Sequence, residues 1–195
     1  MGCLLKRSSL AWLGLGLLAG LMIGGLWPHV PLHAVATDRA ENIVIATGFV
    51  DDQVEAIFFL DSLTGTLIGG VPSRQRRLVP FQSMWQANLN ADLLVAIQTL
   101  GAKGTRRGAG RSALEAPKTP RYMMVTGNLD IRGMAAAQEA PGRCLVYVVE
   151  ANTGVVLSYM VPWSANRHNT GAPYRAAFSL WAADQFATAV IRGEE

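Results

Sequence analysis

Cysteine and histidine are scarce in this chain, which has two cysteines and three histidines in 195 residues. Cys3 precedes a long apolar run and Cys144 follows it, so the two thiols are predicted to lie in different compartments and to form no intramolecular disulfide. Cys144 is therefore expected to be a small buried hydrophobe. His29 and His33 lie beside the apolar run, which leaves only His168 for the folded region and excludes a histidine-based metal cluster within one chain.

Charge is also limited, at 16% of residues, with 17 Lys and Arg against 14 Asp and Glu. Lys6 and Arg7 are the only charged residues among the first 36, so the rest of the chain has 15 basic and 14 acidic side chains. Such a balance argues against a large basic surface for nucleic acid. Half of the residues are apolar, which predicts a folded chain rather than a disordered one.

The usual catalytic motifs are missing from the sequence. It has no Gly-x-Ser-x-Gly, no His-Glu-x-x-His and no Cys-x-x-Cys, and the glycines near Arg111 lack the lysine and spacing of a phosphate loop. Asp51, Asp52 and Glu55 lack the ordered spacing of a calcium loop, so an acidic turn is expected there. We predict a non-enzymatic protein with no cofactor and no resident metal.

The N-terminal residues carry a membrane-targeting pattern. Leu10–Trp27 is an uncharged run that would form a helix of about 27 Å, close to the roughly 30 Å of a bilayer core. Two interpretations stay open, an uncleaved single-pass anchor in the inner membrane and a signal peptide cleaved after Ala36. In both, the basic residues before the run keep the N-terminus cytoplasmic and place the rest in the periplasm or another extracytoplasmic space.

Gly16, Gly20 and Gly24 recur at four-residue spacing within that run. This spacing allows two membrane helices to approach closely and predicts a homodimer through the anchor. The alternative is that glycine is simply common in membrane spans.

The remainder contains an internal repeat. Ile43–Gly48 is echoed by Tyr122–Gly127, and Ile57–Gly65 by Val146–Gly154, in the same order. The runs are short and rich in Ile, Val, Phe and Tyr, as strands are. The predicted fold is therefore α+β, mostly antiparallel β, with two tandem meander units and short helices after one N-terminal transmembrane helix. The predicted segments are a basic cytoplasmic stretch 1–9, the span 10–27, a juxtamembrane stretch 28–42, unit 1 at 43–100, a flexible basic linker 101–121, and unit 2 at 122–195.

Each repeat carries an acidic residue, two variable positions and Thr-Gly before the next apolar run. Glycine supplies the positive φ that closes a tight hairpin, so Gly65 and Gly154 are predicted turn residues. Gly48 and Gly127, which end the first run of each repeat, are also assigned to turns. Val54–Asp61 is apolar on both faces, which predicts a central strand covered on each side.

Each repeat then continues into a strand-or-helix segment. A helix is predicted from Asn90 to a close at Gly101, and the same arrangement is expected within Tyr174–Arg192, with Asp92 and Asp184 in matching first turns. The linker 101–121 is interpreted as a hydrated connector, or alternatively as a contact for an anionic polymer.

One loop combines an aromatic residue with several hydrogen-bond donors. It contains Trp163, Arg167 and His168, which are the binding candidates, although an ordinary turn also accounts for this composition.

Two resemblances follow from these strings. FLDSLTGTL and YVVEANTGVVL resemble the hairpins of quinoprotein-type β-propeller repeats, which implies strand-turn-strand units. TDRAENIVIATG, PRYMMVTG and the LAGLMIGGLWPH anchor make the chain similar to a family of small membrane-anchored bacterial proteins of uncharacterised function, which supplies no functional residues.

These observations lead to two functional hypotheses. The first is a membrane-tethered, extracytoplasmic interaction or structural module of the cell envelope, whose partner is an envelope protein or an anionic polymer. The alternative is a small-molecule or cofactor-binding domain related to quinoprotein repeats, with its site in a cleft between the two units.

Overall fold

The computed structural model describes residues 15–18, 20, 37–74, 80–106, 114–129 and 140–186. The chain divides into two compact units, Met1–Ala34 and Val35–Glu195. The described residues of the first unit are helical. Most of the predicted span Leu10–Trp27 lies outside the described residues, and within them no helix is both long and apolar enough to cross a bilayer.

The second unit is mostly β structure in two sheets, with two helices among its described residues. Sheet A has the strand order β1-β2-β3-β4-β5-β9, and sheet B has the order β10-β8-β7-β6. The strands are β1 Thr37–Ala40, β2 Ile43–Asp51, β3 Val54–Asp61, β4 Thr66–Val71, β5 Ser83–Asn88, β6 Tyr122–Asn128, β7 Ala140–Glu150, β8 Val155–Trp163, β9 Tyr174–Ala177 and β10 Ser179–Gln185. The helices are α1 Leu89–Arg106 and α2 Ala165–Thr170. All neighbouring strands are antiparallel except β5 and β9, which confirms the prediction of a mostly antiparallel α+β fold.

Two four-strand meanders have the same connectivity. Meander 1 consists of β2, β3, β4 and β5, and meander 2 consists of β6, β7, β8 and β10. Their registers coincide at the hairpin, where the pairs are Ile43 with Asp61 and Asp61 with Thr66 in meander 1, and Tyr122 with Glu150 and Glu150 with Val155 in meander 2. Strand β9 then adds to the edge of meander 1, which joins the two meanders into one body.

The two hairpin turns are closed by glycine and capped by a carboxylate. Gly65 and Gly154 both have φ +67°. Each donates its N–H to the backbone carbonyl of the acidic residue four positions earlier, at 2.9 Å. The Asp61 carboxylate accepts hydrogen bonds from Leu63 and Thr64, and Glu150 accepts the corresponding bonds from its own turn. The acid, the threonine and the glycine of the repeated motif therefore all serve the turn.

Gly48 and Gly127 do not lie in turns, contrary to their assignment from the sequence. Both lie inside strands, β2 and β6 respectively, and neither has a positive φ. A Cβ on Gly48 would collide with the sulfur of Cys144, so glycine lets β2 approach sheet B closely. A Cβ on Gly127 would come within 2.7 Å of the Tyr147 ring.

The core lies between the inner faces of the two sheets. Phe58 from sheet A and Tyr159 from sheet B are fully buried, and the Phe178 ring contacts both at centroid distances of 6.1 Å. Thr126 of β6 donates its hydroxyl to the Thr47 carbonyl of β2 at 2.5 Å, which joins the sheets at one edge.

The outer face of β3 is not covered, which contradicts the prediction for Val54–Asp61. Ala56, Phe58 and Leu60 are buried, but Ile57 and Phe59 are 40% and 37% exposed. The strand is central within its sheet, yet only one face of that sheet packs against the rest of the described domain.

The two meanders bury opposite faces when they are aligned at their hairpins. Val44, Leu60 and Leu67 are in the core, whereas the register-equivalent residues of meander 2 are on its outer face. Those equivalents are Met123, Val149 and Val156. Conversely, outer residues of meander 1 correspond to core residues of meander 2, namely Ile45 to Met124, Phe59 to Val148 and Ile68 to Leu157. The two meanders therefore pack through non-equivalent faces: the buried face of meander 2 corresponds in register to the outer face of meander 1.

The helical predictions need two corrections. Helix α1 has Asp92 in its first turn, but it continues through Gly101 to Arg106 and so extends into the predicted linker, where Leu114 packs against the core. Asp184 lies in strand β10, because pairing with β8 continues through Gln185. Residues 187–195, where a second helix was expected, lie outside the described residues.

Candidate functional site

A cleft of about 500 Å³ lies at one end of the domain. It is formed by the β2–β3 turn, the residues after β4, the last residue of β8, and helix α2. The lining side chains that carry its chemistry are Asp51, Glu55, Arg74, Trp163, His168 and Asn169.

Helix α2 is short but firmly capped. Ser164 is its N-cap and accepts the Arg167 N–H, while Gly171 ends the helix in the left-handed conformation with φ 74°. The buried Gln82 side chain donates to the carbonyls of Arg167 and His168 at 3.0 Å and of Ala172 at 3.3 Å. These bonds satisfy carbonyls at the helix C-terminus and hold α2 against sheet A.

His168 is the central residue of the cleft wall. It is 3% exposed, and its ring packs on Trp163 at a centroid distance of 5.0 Å. Its Nδ1 has no hydrogen-bond partner within the described part of the chain. Burial lowers the pKa of His168, Arg74 lowers it further, and Asp51 opposes the shift. The imidazole is therefore mainly neutral at pH 7 and presents one nitrogen as an acceptor.

The cleft contains both signs of charge. Asp51 accepts the Trp163 indole N–H at 2.9 Å, and Asp52 forms an ion pair with Arg143. Arg74 donates to the Asn169 side-chain oxygen at 2.9 Å. These contacts fix the β2–β3 turn to β8 and the segment after β4 to helix α2.

This arrangement suits recognition of a small polar ligand. The carboxylates offer acceptors, Arg74 offers donors, and Val54, Val71 and Pro72 supply apolar contact. No group of three or more potential metal ligands occurs in the described ranges. Cys144 is not a nucleophile in this state, because it is 1% exposed and burial raises its thiol pKa to about 12.

Two of the three predicted binding residues line the cleft. Trp163 and His168 do, whereas Arg167 is not among the lining residues and lies over the Tyr174 ring at 5.1 Å. The acidic turn, which was not expected to bind anything, forms the opposite wall. Arg74 and Gln82 were not singled out from the sequence, because no local motif relates them to residues more than 80 positions away.

A second polar cluster connects α1 to sheet B. Tyr122 donates to the Asn90 side chain at 2.7 Å, and Tyr159 donates to Asp92 at 2.8 Å. Burial raises the pKa of both tyrosines, and nearby carboxylates add to the effect. Both phenols stay protonated at physiological pH, and their hydrogen bonds anchor the helix to sheet B.

Comparison of the chain with known protein families, with curated proteins and with solved structures finds no match.

Proposed function

We propose that this protein is a membrane-tethered, extracytoplasmic interaction or structural module of the cell envelope, without enzymatic activity. In this proposal, Leu10–Trp27 crosses the inner membrane once with the N-terminus in the cytoplasm, and the two-sheet domain lies in the periplasm or its equivalent. The support is the order of basic residues, apolar run and domain in the sequence. We further propose that the two meanders arose by duplication, which their matching registers support.

The observation that carries the interaction function is the uncovered apolar face of sheet A. Ile43, Ile45, Ile57 and Phe59 are 41%, 37%, 40% and 37% exposed on the adjacent strands β2 and β3. Ile45 lies directly opposite Phe59 in the ladder, so these side chains form one surface. Clustered exposed apolar side chains mark interaction sites, because a solvated face gains nothing from them.

Photo-crosslinking in whole cells tests this function. A photoreactive residue at position 59 is expected to give crosslinked products, since Phe59 lies in the apolar face. The same residue at position 63 is the matched control, because Leu63 is 79% exposed at a hairpin tip away from that face. Equal yields at both positions, or none at position 59, would contradict the proposal.

A reporter fused after Glu195 tests the location. Alkaline phosphatase, which is active only outside the cytoplasm, is expected to be active, and a cytoplasm-dependent fluorescent protein is expected to be dark. The opposite pair of results would place the domain in the cytoplasm.

The cleft supports a second candidate function, binding of a small polar molecule. The specific observation is the buried His168 Nδ1, which has no partner in the described structure, on a wall that faces charges of both signs. Thermal-shift screening of the full chain against amines, carboxylates and quinones tests it. A hit is expected to disappear in His168→Phe and Arg74→Ala, and a hit that persists in both variants would place binding elsewhere.

A further inference from the structure

We propose that this chain self-associates head to tail, with the outer face of meander 1 of one copy docking on the outer face of meander 2 of the next. This inference rests on the proposed interaction function and names the partner of its apolar surface as a second copy of the same chain. It follows from how the two meanders already pack inside one molecule.

The internal interface joins unlike faces of two like meanders. Meander 1 contributes the face that contains Val44, Leu60 and Leu67. Meander 2 contributes the face that contains Met124, Val148 and Leu157, which corresponds in register to the opposite face of meander 1. An interface of this kind is heterologous, and each meander therefore retains one face that the interface does not use.

The two unused faces are the missing halves of the same interface. The outer face of meander 1 presents Ile45, Phe59 and Ile68 at the positions that are Met124, Val148 and Leu157 in the buried face. The outer face of meander 2 presents Met123, Val149 and Val156 at the positions of Val44, Leu60 and Leu67. Every residue in both sets is apolar, so the apolar pattern that holds the meanders together within a chain occurs again on the two outer faces.

The exposures show that both faces are available. Ile45 and Phe59 are 37% exposed on meander 1, and Met123 and Val125 are 46% and 49% exposed on meander 2. Their equivalents in the internal interface are at most 4% exposed. These side chains would therefore become buried if a second copy repeated the internal packing.

Head-to-tail contacts either close into a ring or continue as a filament, depending on the rotation between copies. Closed rings of four-stranded antiparallel sheets hold about four to eight sheets, which corresponds to about two to four copies of this two-meander chain. The stacking proposal covers both outcomes, because each is made by the same interface.

Sedimentation of the full chain in mild detergent, with two single variants and their mixture, tests the proposal. Ile45→Lys blocks only the outer face of meander 1, and Val125→Lys blocks only that of meander 2. The unmodified chain is expected to form dimers or larger assemblies, and each variant alone is expected to be a 20.9 kDa monomer. An equimolar mixture is expected to restore dimers and nothing larger, because one intact face remains on each partner.

Several results would overturn the proposal. A monomeric unmodified chain at concentrations of tens of micromolar would do so, as would assemblies that neither substitution reduces. If the chain forms a symmetric dimer through one face only, the variant substituted on the other face would remain dimeric by itself. Mixing the two variants would then produce no additional dimer. Leu63→Lys is the control for added charge, and circular dichroism checks that each variant is folded. If photo-crosslinking at position 59 captures only other envelope proteins, self-stacking fails while the interaction function stands; no product at all removes both.

Discussion

The two hairpin carboxylates provide a matched pair for testing how the repeated motif stabilises the fold. Glu150 is 1% exposed, and one carboxylate oxygen accepts the N–H groups of Arg121 and Asn152 at 3.0 and 3.2 Å. The other oxygen accepts the Thr153 N–H and hydroxyl, both at 2.7 Å. In Glu150→Gln, either orientation of the new amide places an NH₂ group against at least one backbone N–H.

An unsatisfied buried donor costs about 1–3 kcal/mol, so Glu150→Gln is expected to destabilise the domain by about 2 kcal/mol. For a domain of this size, that corresponds to a fall in Tm of about 4–8 °C. Asp61→Asn is the control, because Asn keeps one oxygen for the Leu63 and Thr64 N–H groups and its NH₂ can donate to the Thr64 hydroxyl. Denaturant and thermal unfolding measure both variants. An Asp61→Asn effect as large as that of Glu150→Gln would refute this reasoning.

Three further predictions concern single residues. Gly65→Val is expected to lower Tm, because φ is +67° and a Cβ would lie 2.5 Å from the Asn90 side chain; an unchanged Tm would contradict the turn geometry. The lowered pKa of His168 means that the unfolded chain takes up a proton below about pH 6.5 that the folded chain does not, so stability is expected to fall with decreasing pH in that range. This loss of stability at low pH should be smaller in His168→Gln. Identical pH profiles of Tm for the unmodified chain and the variant would contradict the assignment of the pH dependence to His168. In Cys3→Ser, a maleimide at pH 7 is expected to modify Cys144 only after unfolding, because the thiol is buried with a pKa of about 12; rapid labelling of the native protein would contradict its burial.

The strands and hairpins were predictable because their determinants are local. The acid-x-x-Thr-Gly motif places its carboxylate, hydroxyl and glycine within five residues, and all of them act within the same turn. Strand β4 spans Thr66–Val71, and Gly65 and Pro72 flank it in the sequence as local signals of its ends.

The buried face of each meander was not predictable from the sequence. Both repeats are apolar on both faces, so alternation does not indicate which face packs inward. Phe59 and Val148 occupy equivalent positions with opposite exposure, and only the packing of two sheets distinguishes them. Gly48 ends the repeated run in the sequence, which predicted a turn there, whereas in the structure it makes room for the neighbouring sheet.

The cleft was only partly predictable. Trp163 and His168 lie five residues apart and were selected as one aromatic, donor-rich loop. Their partners Asp51 and Arg74 come from the other meander, about 100 residues earlier in the chain, so no local pattern connects them. The position of Arg167 over Tyr174 likewise depends on how helix α2 docks.

Cysteine labelling in spheroplasts tests the central claim most directly, since it reports both the location of the domain and the coverage of its apolar face. Ile57→Cys lies in that face, and Leu63→Cys lies at the hairpin tip outside that face. With a membrane-impermeant maleimide, the account predicts rapid labelling at position 63 and protection at position 57, with protection lost when the purified protein is diluted in detergent. Labelling of neither position in spheroplasts, or equal labelling of both, would contradict it.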